Sequence, residues 1–420
     1  MATALDKSVI TCDMEGIIET FSDGAQRMFG YSKEETVGKL RVSVFSPGEI
    51  VLQNLNIWLT SAVKDGEYVT ETVFIRKNGE KFGAKIRITP TMRNGVQIGY
   101  CGVTEELDNV VNVPIRTTTN ILKWLVITRA PFLTAALTPA FIGAAFVGGV
   151  LGVEINWLLA TLAILGVALL HLSSNVFNDY FDVKSGTDQA NTAYFVQYSG
   201  GSRAIEMRLI DLKGTLRTAI GLLLTAFAIG LYLTWQVGSG VLVLGFAGLF
   251  CGYFYTAPPL RLVARHGMGE LIIGLAFGPL ITMGITYVLT GTYSWEAFMI
   301  GIPAGLLTTN ILVINQVPDA EGDAVTGKNH LVVTFGKKSA IVFYSLFWAA
   351  ALGLTASYAM TYNNLWLWAS VGVGLVYGSW IISYMRRHIL ERTLVKANVA
   401  TIYLQIIVTT LFAIAVGYGG

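Results

Sequence analysis

From about residue 125 onward the chain is a succession of apolar runs, each near the ~20 residues that a helix needs to cross a bilayer. Nothing else in the sequence restricts its folding so much. Nine such runs are centred near residues 140, 166, 224, 248, 279, 306, 350, 374 and 408. Backbone polar groups in lipid must be satisfied within the segment, so nine transmembrane helices are expected. Over 420 residues the chain is 53% hydrophobic and 13% charged, far below the roughly 25% charged of soluble domains. The expected class is therefore an integral, multi-pass protein surrounded by membrane lipid, with no nucleic-acid partner.

The connections between the runs decide how the helices thread. Odd-numbered connections, GVEIN, WQVGSG, GTYSWE and TYNN, and the terminal GYGG contain no Lys or Arg; the even-numbered ones, residues 178–217, 257–268, 318–339 and 386–397, contain 5, 2, 3 and 4. The side richer in Lys and Arg stays in the cytoplasm, so the basic loops are expected there, in a plasma (inner) membrane. Residues 1–115 hold 12 Lys and Arg against 15 Asp and Glu, leaving 17 and 12 for the remainder. A soluble acidic domain thus precedes a basic, apolar one. The opening MATALDKSVITCD lacks the basic-then-apolar pattern of a secretion signal, so the first domain is expected to share the cytoplasmic side. Cys12, Cys101 and Cys251 are too few and scattered for a disulfide framework or zinc site.

The second run, WLLATLAILGVALLHLSS, passes directly into NVFNDYFDVKSGTD, residues 175–188. Carboxylates at a lipid boundary are costly and usually functional. If the helix continues to about residue 182, Asn175, Asn178, Asp179 and Asp182 project within a narrow arc, because offsets of 3, 4 and 7 return to one face. The sixth run ends similarly: ILVINQVPDAEGD carries Asn315, Asp319 and Asp323 at offsets of 4 and 8. Two facing acidic clusters repel unless cations lie between them. Oxygen-only ligands suit a hard ion, and Mg2+ shares its shell between carboxylates and substrate phosphates. Lys184, Arg203 and Arg208 follow the first cluster and Lys328 the second, able to offset remaining phosphate charge. The residues read as a site for a lipidic diphosphate held by magnesium, with diphosphate as leaving group. A lone acidic patch is as readily a solvated helix end; two with the same Asn-then-Asp spacing at one membrane face favour the site. His171, one turn deeper than Asn175, could line the cavity, but reads first as a packed, hydrogen-bonded histidine. Glu270, in RHGMGELIIG, needs a partner if ionised, which Arg261 or Arg265 would supply. The loop RRHILERTLVK reads as a topology and anionic-lipid signal.

The pair NDYFD and DAEGD, with nine spans and basic cytoplasmic loops, resembles the UbiA superfamily of intramembrane prenyltransferases. DVKSGTD, GGSRAI, YTAPPLRL followed by GMGE, and DAVTGKNHLVVTFG resemble its 1,4-dihydroxy-2-naphthoate polyprenyltransferase branch, of menaquinone biosynthesis, over roughly residues 120–420. The broad family pattern NDxxDxxxD would place its last carboxylate at Gly186, so Asp188 is the expected substitute. The resemblance implies that Asp179, Asp182, Asp319 and Asp323 are the catalytic residues, binding two Mg2+ ions together with Asn175 and Asp188. It further implies that Asn175, Asn178, Lys184, Arg203 and Lys328 bind an allylic polyprenyl diphosphate, and that Tyr255 shields the allylic cation. The group passes to an aromatic quinone precursor: 1,4-dihydroxy-2-naphthoate, or alternatively hydroxybenzoate or homogentisate.

Ahead of this part, VITCDMEGIIETFSDGAQRMFGYSKEETVGK combines two short β-type runs with an amphipathic helical pattern. TVFIRKNGEKFGAKIRITPTMRNGVQIGYCGVTEEL then gives three alternating runs joined by Asn-Gly turns. The wording DxxGxI, FGYSxEExxGK, RKNGExF and GYxGVTEEL resembles a PAS domain. The expected organisation is a soluble α+β PAS domain at 1–110, a linker at 111–121 and an α-helical UbiA-type membrane domain at 122–420. PAS domains bind small ligands or pair with each other, so the resemblance implies modulation of the neighbouring site or a PAS-mediated homodimer. The PAS ligand is unknown; the lack of histidine in residues 1–115 disfavours b-type haem. The competing reading is a PAS-linked membrane sensor or receptor without enzymatic activity, but a mere anchor has no need of two acidic clusters. A transporter would normally place its ionisable groups deeper.

Overall fold

The computed structural model describes residues 7–109, 111–195 and 198–418. Residues 1–6 and 110 of the expected PAS domain, and Gly419 and Gly420 of the terminal GYGG, lie outside the described residues. The chain divides into two compact units: Met1–Ile127 with Arg203–Leu212, and Thr128–Ser202 with Lys213–Gly420.

The first unit is built on five strands, β1 (Ser8–Asp13), β2 (Ile18–Phe21), β3 (Tyr68–Ile75), β4 (Lys81–Arg93) and β5 (Val96–Glu106). They form an antiparallel sheet in the order β2-β1-β5-β4-β3. Asn94 and Gly95 join β4 to β5 with φ of 52° and 77°, the paired positive values that a tight two-residue hairpin requires. After β2 comes α1 (Asp23–Phe29), and then a short helical turn opened by SKEE. There the Ser32 hydroxyl accepts from Glu35 N at 3.3 Å, and the Glu35 carboxylate accepts from Ser32 N at 2.9 Å, a reciprocal cap. Phe21, Phe29, Phe45, Phe74 and Phe82 fill the core beneath the sheet.

Helix α2 (Gly48–Asp65) was not anticipated. Its apolar residues are interleaved with polar ones, and Ile50, Trp58 and Ala62 are its buried large contacts. Helix α3 (Thr117–Ile127) follows the sheet. Arg203–Leu212 joins this unit rather than remaining a loop of the membrane part: Leu209 and Ala204 pack with Ile127, Leu52 and Val126. Glycine at 48 permits the approach, since a Cβ there would meet Met207 O at 2.2 Å.

The second unit is helical: α4 (Ala130–Val150), α5 (Trp157–Ser185), α6 (Leu212–Val237), α7 (Gly240–Phe254), α8 (Met268–Thr290), α9 (Trp295–Val325), α10 (Ser339–Thr361), α11 (Leu365–His388) and α12 (Arg392–Tyr418). Eight of these are long and apolar enough to span a bilayer, as in an integral multi-pass membrane protein; α7 falls short of the nine expected. Its 15 residues reach about 22 Å at 1.5 Å per residue, against a hydrocarbon core of roughly 30 Å. Gly238 at φ 129° precedes it, and Pro258 and Pro259 follow, preventing extension.

Within the unit, α9 is central: 72% of its apolar window is buried in protein, against 11% for α6, which leaves α6 facing lipid. Lipid tails are as apolar as leucine, so helices associate through close packing. Gly274 and Gly278 of α8 meet Gly305 and Gly301 of α9 backbone to backbone. A Cβ at Gly305 would lie 2.0 Å from Gly274 O, and one at Gly278 would lie 2.3 Å from Gly301 O. Pro279 accounts for a bend in α8, where Phe277 leaves helical geometry at φ −89° and ψ 17°.

Candidate active site

Helix α5 runs beyond the expected end near residue 182 and stops at Gly186, whose φ of 81° closes the helix. The whole NDYFD stretch is consequently helical, with Asp179 and Asp182 buried. The corresponding end of α9 carries Asn315, Asp319 and Asp323. Between these ends lies a polar cavity of about 90 Å3, lined among others by Asn178, Asp182, Asp188, Asn315, Gln316, Asp319, Asp323 and Lys328. A second, largely apolar cavity of about 330 Å3 is lined by residues of α4 to α9, with His171 and Asn175 among them. The two share Arg129, Asn178, Tyr255 and Leu312. A compact polar chamber therefore adjoins a larger greasy one.

Lys328 links the acidic ends. Its ammonium lies 3.1 Å from Asp182 Oδ2 and 3.9 Å from Asp323 Oδ1. Burial by itself pushes the Lys328 pKa down, but the nearby Asp182 and Asp323 carboxylates outweigh it and hold the ammonium well above the ordinary lysine range. His330 Nδ1 accepts from Val333 N at 3.3 Å, so the proton of a neutral ring sits on Nε2, which donates to Asp323 Oδ2 at 3.1 Å.

The other two aspartates hold a loop. Asp319 Oδ1 accepts from Asn191 Nδ2 at 2.8 Å and Ser199 Oγ at 2.9 Å, while Oδ2 accepts from Gly200 N at 2.9 Å. Asp179 Oδ1 accepts from Ser202 N at 3.2 Å. One aspartate from each helix thus pins the GGS turn. Gly201 has φ of 80°, and a Cβ there would lie 2.9 Å from Asp179 Oδ1, so glycine is needed both for conformation and for clearance.

The remaining expected residues are distributed unevenly. Asn175 lines the apolar cavity and donates from Nδ2 to Thr128 O at 3.2 Å. Lys184 is exposed, with its ammonium 5.7 Å from the Tyr180 ring centre. Arg203 lies in the first unit, 3.3 Å from Glu206, and Arg208 donates there to Tyr31 Oη at 3.3 Å. Of these expected cations, Lys328 alone lines the polar cavity among the described residues. Glu270 has amide partners, Gln316 Nε2 at 3.0 Å and Leu331 N at 2.9 Å, where an arginine was expected. Arg265 is turned to Leu260 O, with its Nε donating at 3.0 Å.

Sequence reasoning missed two cations. Arg129 lines both cavities. At the edge of the first apolar run it carried no signal beyond that of a topology residue, and its φ of 54° is a tertiary result. Arg392 belongs to the loop read as a topology signal, yet it donates to Ala193 O, and to Tyr194 O at 3.2 Å, with its guanidinium 4.8 Å from the Phe195 ring centre. It fastens the chain leading to Ser199 and Gly200.

Among the described residues, no three His, Cys, Asp or Glu side chains are grouped so as to hold a metal ion by themselves. The donor chemistry nevertheless suits a hard cation. The cavity wall is rich in oxygen acceptors, and Asn178 Oδ1 and Gln316 Oε1 are buried without a hydrogen-bond partner.

Residues 136–407 match the UbiA prenyltransferase family and residues 6–106 match a PAS domain. The chain is 27% identical over 250 residues to a 1,4-dihydroxy-2-naphthoate octaprenyltransferase of Bacillus subtilis, covering 60% of this chain and 72% of that one. It is 30% identical over 221 residues to a 2-carboxy-1,4-naphthoquinone phytyltransferase of Synechocystis, covering 51% and 66%. A UbiA homologue from Archaeoglobus fulgidus, solved with GPP and Mg2+, is similar in fold with a TM-score of 0.53 at 18% identity, covering 70% of this chain and 99% of that one.

Proposed function

The chain belongs to the UbiA prenyltransferase family, and we propose that it transfers a polyprenyl group from an allylic polyprenyl diphosphate to 1,4-dihydroxy-2-naphthoate, with Mg2+, in menaquinone biosynthesis. The observation that carries this reading is the junction of the acid-lined chamber with the apolar cavity at Arg129, Asn178 and Tyr255. A diphosphate fits the first and an isoprenoid tail the second. The names of the naphthoate and naphthoquinone relatives support the choice of acceptor.

Asp182, Asp319 and Asp323 would hold the Mg2+ ions together with substrate oxygens, and Asp179, Asp188 and Asn175 are the further candidate ligands. Bound ions would neutralise charge developing on the departing diphosphate. Lys328 grips phosphate oxygens at the same end, and the apolar walls exclude water from the allylic carbon. As the C–O bond to diphosphate breaks, Tyr255 faces the cation across the junction. Arg129 offers a charge partner to the acceptor's carboxylate. The attacked ring carbon forms the new C–C bond and gives up its proton or carboxylate. The basic loops at this end of the bundle support a cytoplasmic orientation for it.

The test is product analysis by mass spectrometry, using the purified full chain in lipid with a series of prenyl diphosphates, three aromatic acids, and either Mg2+ or a chelator. Prenylated naphthoate with Mg2+ and none with the chelator is the expected result. Product only with hydroxybenzoate or homogentisate would overturn the acceptor, and neither product nor diphosphate release across the panel would overturn the enzyme.

The PAS domain is proposed to modulate this chemistry rather than complete it. A chain beginning at Pro114 is expected to retain product formation but to melt at a lower temperature, because Leu209 and Ile127 lose Leu52 as a partner. Comparing product rates and thermal melts of the two proteins checks this. A stable truncation that binds donor and Mg2+ yet makes no product would refute the accessory role.

A further inference from the structure

We infer that Glu270 is a positioning residue: it holds the turn that delivers Lys328 and His330 to the acidic helix ends, and it orients the Gln316 amide in the cavity wall. Glu270 is 2% exposed and lines neither cavity. The backbone contact of α8 with α9 at Gly274 and Gly305 brings it against α9, where its own carbonyl accepts from Thr309 Oγ1 at 3.4 Å. Its carboxylate Oε1 then takes two donors, Gln316 Nε2 and the Leu331 amide.

Those two donors matter because of what each is attached to. Leu331 N belongs to the residue directly after His330, whose ring donates to Asp323. Lys328 N donates to Asp323 O at 2.9 Å, and its ammonium bridges Asp182 and Asp323. The four-residue turn is thus tied to Asp323 at one end and to Glu270 at the other. Gln316 lines the polar cavity. With its NH2 group spent on Glu270, its remaining polar atom is the acceptor Oε1, which has no hydrogen-bond partner. Glu270 in this way selects an acceptor face for that amide. The carboxylate itself is costly, since Oε2 is buried without a partner. An apolar side chain would serve packing better, so the carboxylate is explained by the groups it orders.

The test uses the full chain in lipid nanodiscs, with Glu270→Leu, Glu270→Gln, Lys328→Ala and the double variant Glu270→Leu/Lys328→Ala. Hydrogen exchange of the 328–333 amides is expected to rise about tenfold or more in Glu270→Leu and to stay near wild type in Glu270→Gln, which keeps an acceptor oxygen. Exchange elsewhere in the unit should be unchanged. Inorganic diphosphate with Mg2+ is expected to bind about tenfold more weakly in Glu270→Leu. The same substitution made in Lys328→Ala should add less than about twofold, because its effect passes through Lys328. Unchanged exchange at 328–333, a uniform rise throughout, or an undiminished loss in the Lys328→Ala background would overturn the inference. The binding arm rests on the proposed diphosphate site. Should the wild type fail to bind diphosphate while the local exchange pattern appears, that site reading falls and the positioning of the turn stands.

Discussion

Asp182→Asn and Asp319→Asn are each expected to lower prenyl transfer by about 10^2 to 10^3-fold or more, the scale for removing one group from a preorganised electrostatic site. Each removes a negative charge from a different helix end, so neither can substitute for the other. The two should fail differently. Asp182 faces Lys328, and its loss leaves the loops in place. Asp319 also accepts from Asn191, Ser199 and Gly200. An asparagine there turns an NH2 group toward at least one of those donors, so Asp319→Asn should additionally loosen the 199–202 turn. Asp188→Asn is expected to be milder, since Asp188 follows the glycine that ends α5. Single-turnover product formation across a Mg2+ titration, at matched folded protein, checks all three. Near-wild-type rates in both Asp182→Asn and Asp319→Asn would sink the two-cluster site.

Lys328→Met is the second large effect, and its sign should depend on what occupies the chamber. Without added Mg2+, removing the ammonium leaves Asp182 and Asp323 facing each other with their side chains 11% and 6% exposed. Breaking a buried ion pair by deleting one partner costs about 3–5 kcal/mol, so the variant should melt well below the wild type. Mg2+ with inorganic diphosphate should recover much of that loss, because cations then separate the carboxylates again. Diphosphate affinity should still be weaker than wild type, since a phosphate contact is gone. Thermal melts with and without Mg2+ and diphosphate provide the measurement. A destabilisation of the same size in both conditions would show that Lys328 is only a packing and pairing residue.

Several features were legible because they are local. The apolar runs announce helices by length, and α7 departs only because Gly238 and the Pro258–Pro259 pair bracket a run whose composition resembles the others. The Asn-Gly turns were readable because turn chemistry is set within four residues. Helix α2 escaped notice since its buried contacts, Ile50, Trp58 and Ala62, are spread over thirteen positions with polar residues between them.

By itself the sequence determined the helical class, the acidic ends of α5 and α9 and the separate N-terminal sheet, since period, length and spacing along one element dictate which residues share a face. Which charges would meet was decided only by the tertiary structure. Lys328 came to the chamber, while Arg203 and Arg208 partitioned with the first unit. Arg129 reached both cavities, Arg392 fastened the 193–195 segment, and Glu270 took amides in place of arginines. The physical reason is that a charge at a helix end has many reachable partners along the chain. The choice among them depends on how closely helices approach, as the glycines of α8 and α9 allow, and on which loops then fit between their ends.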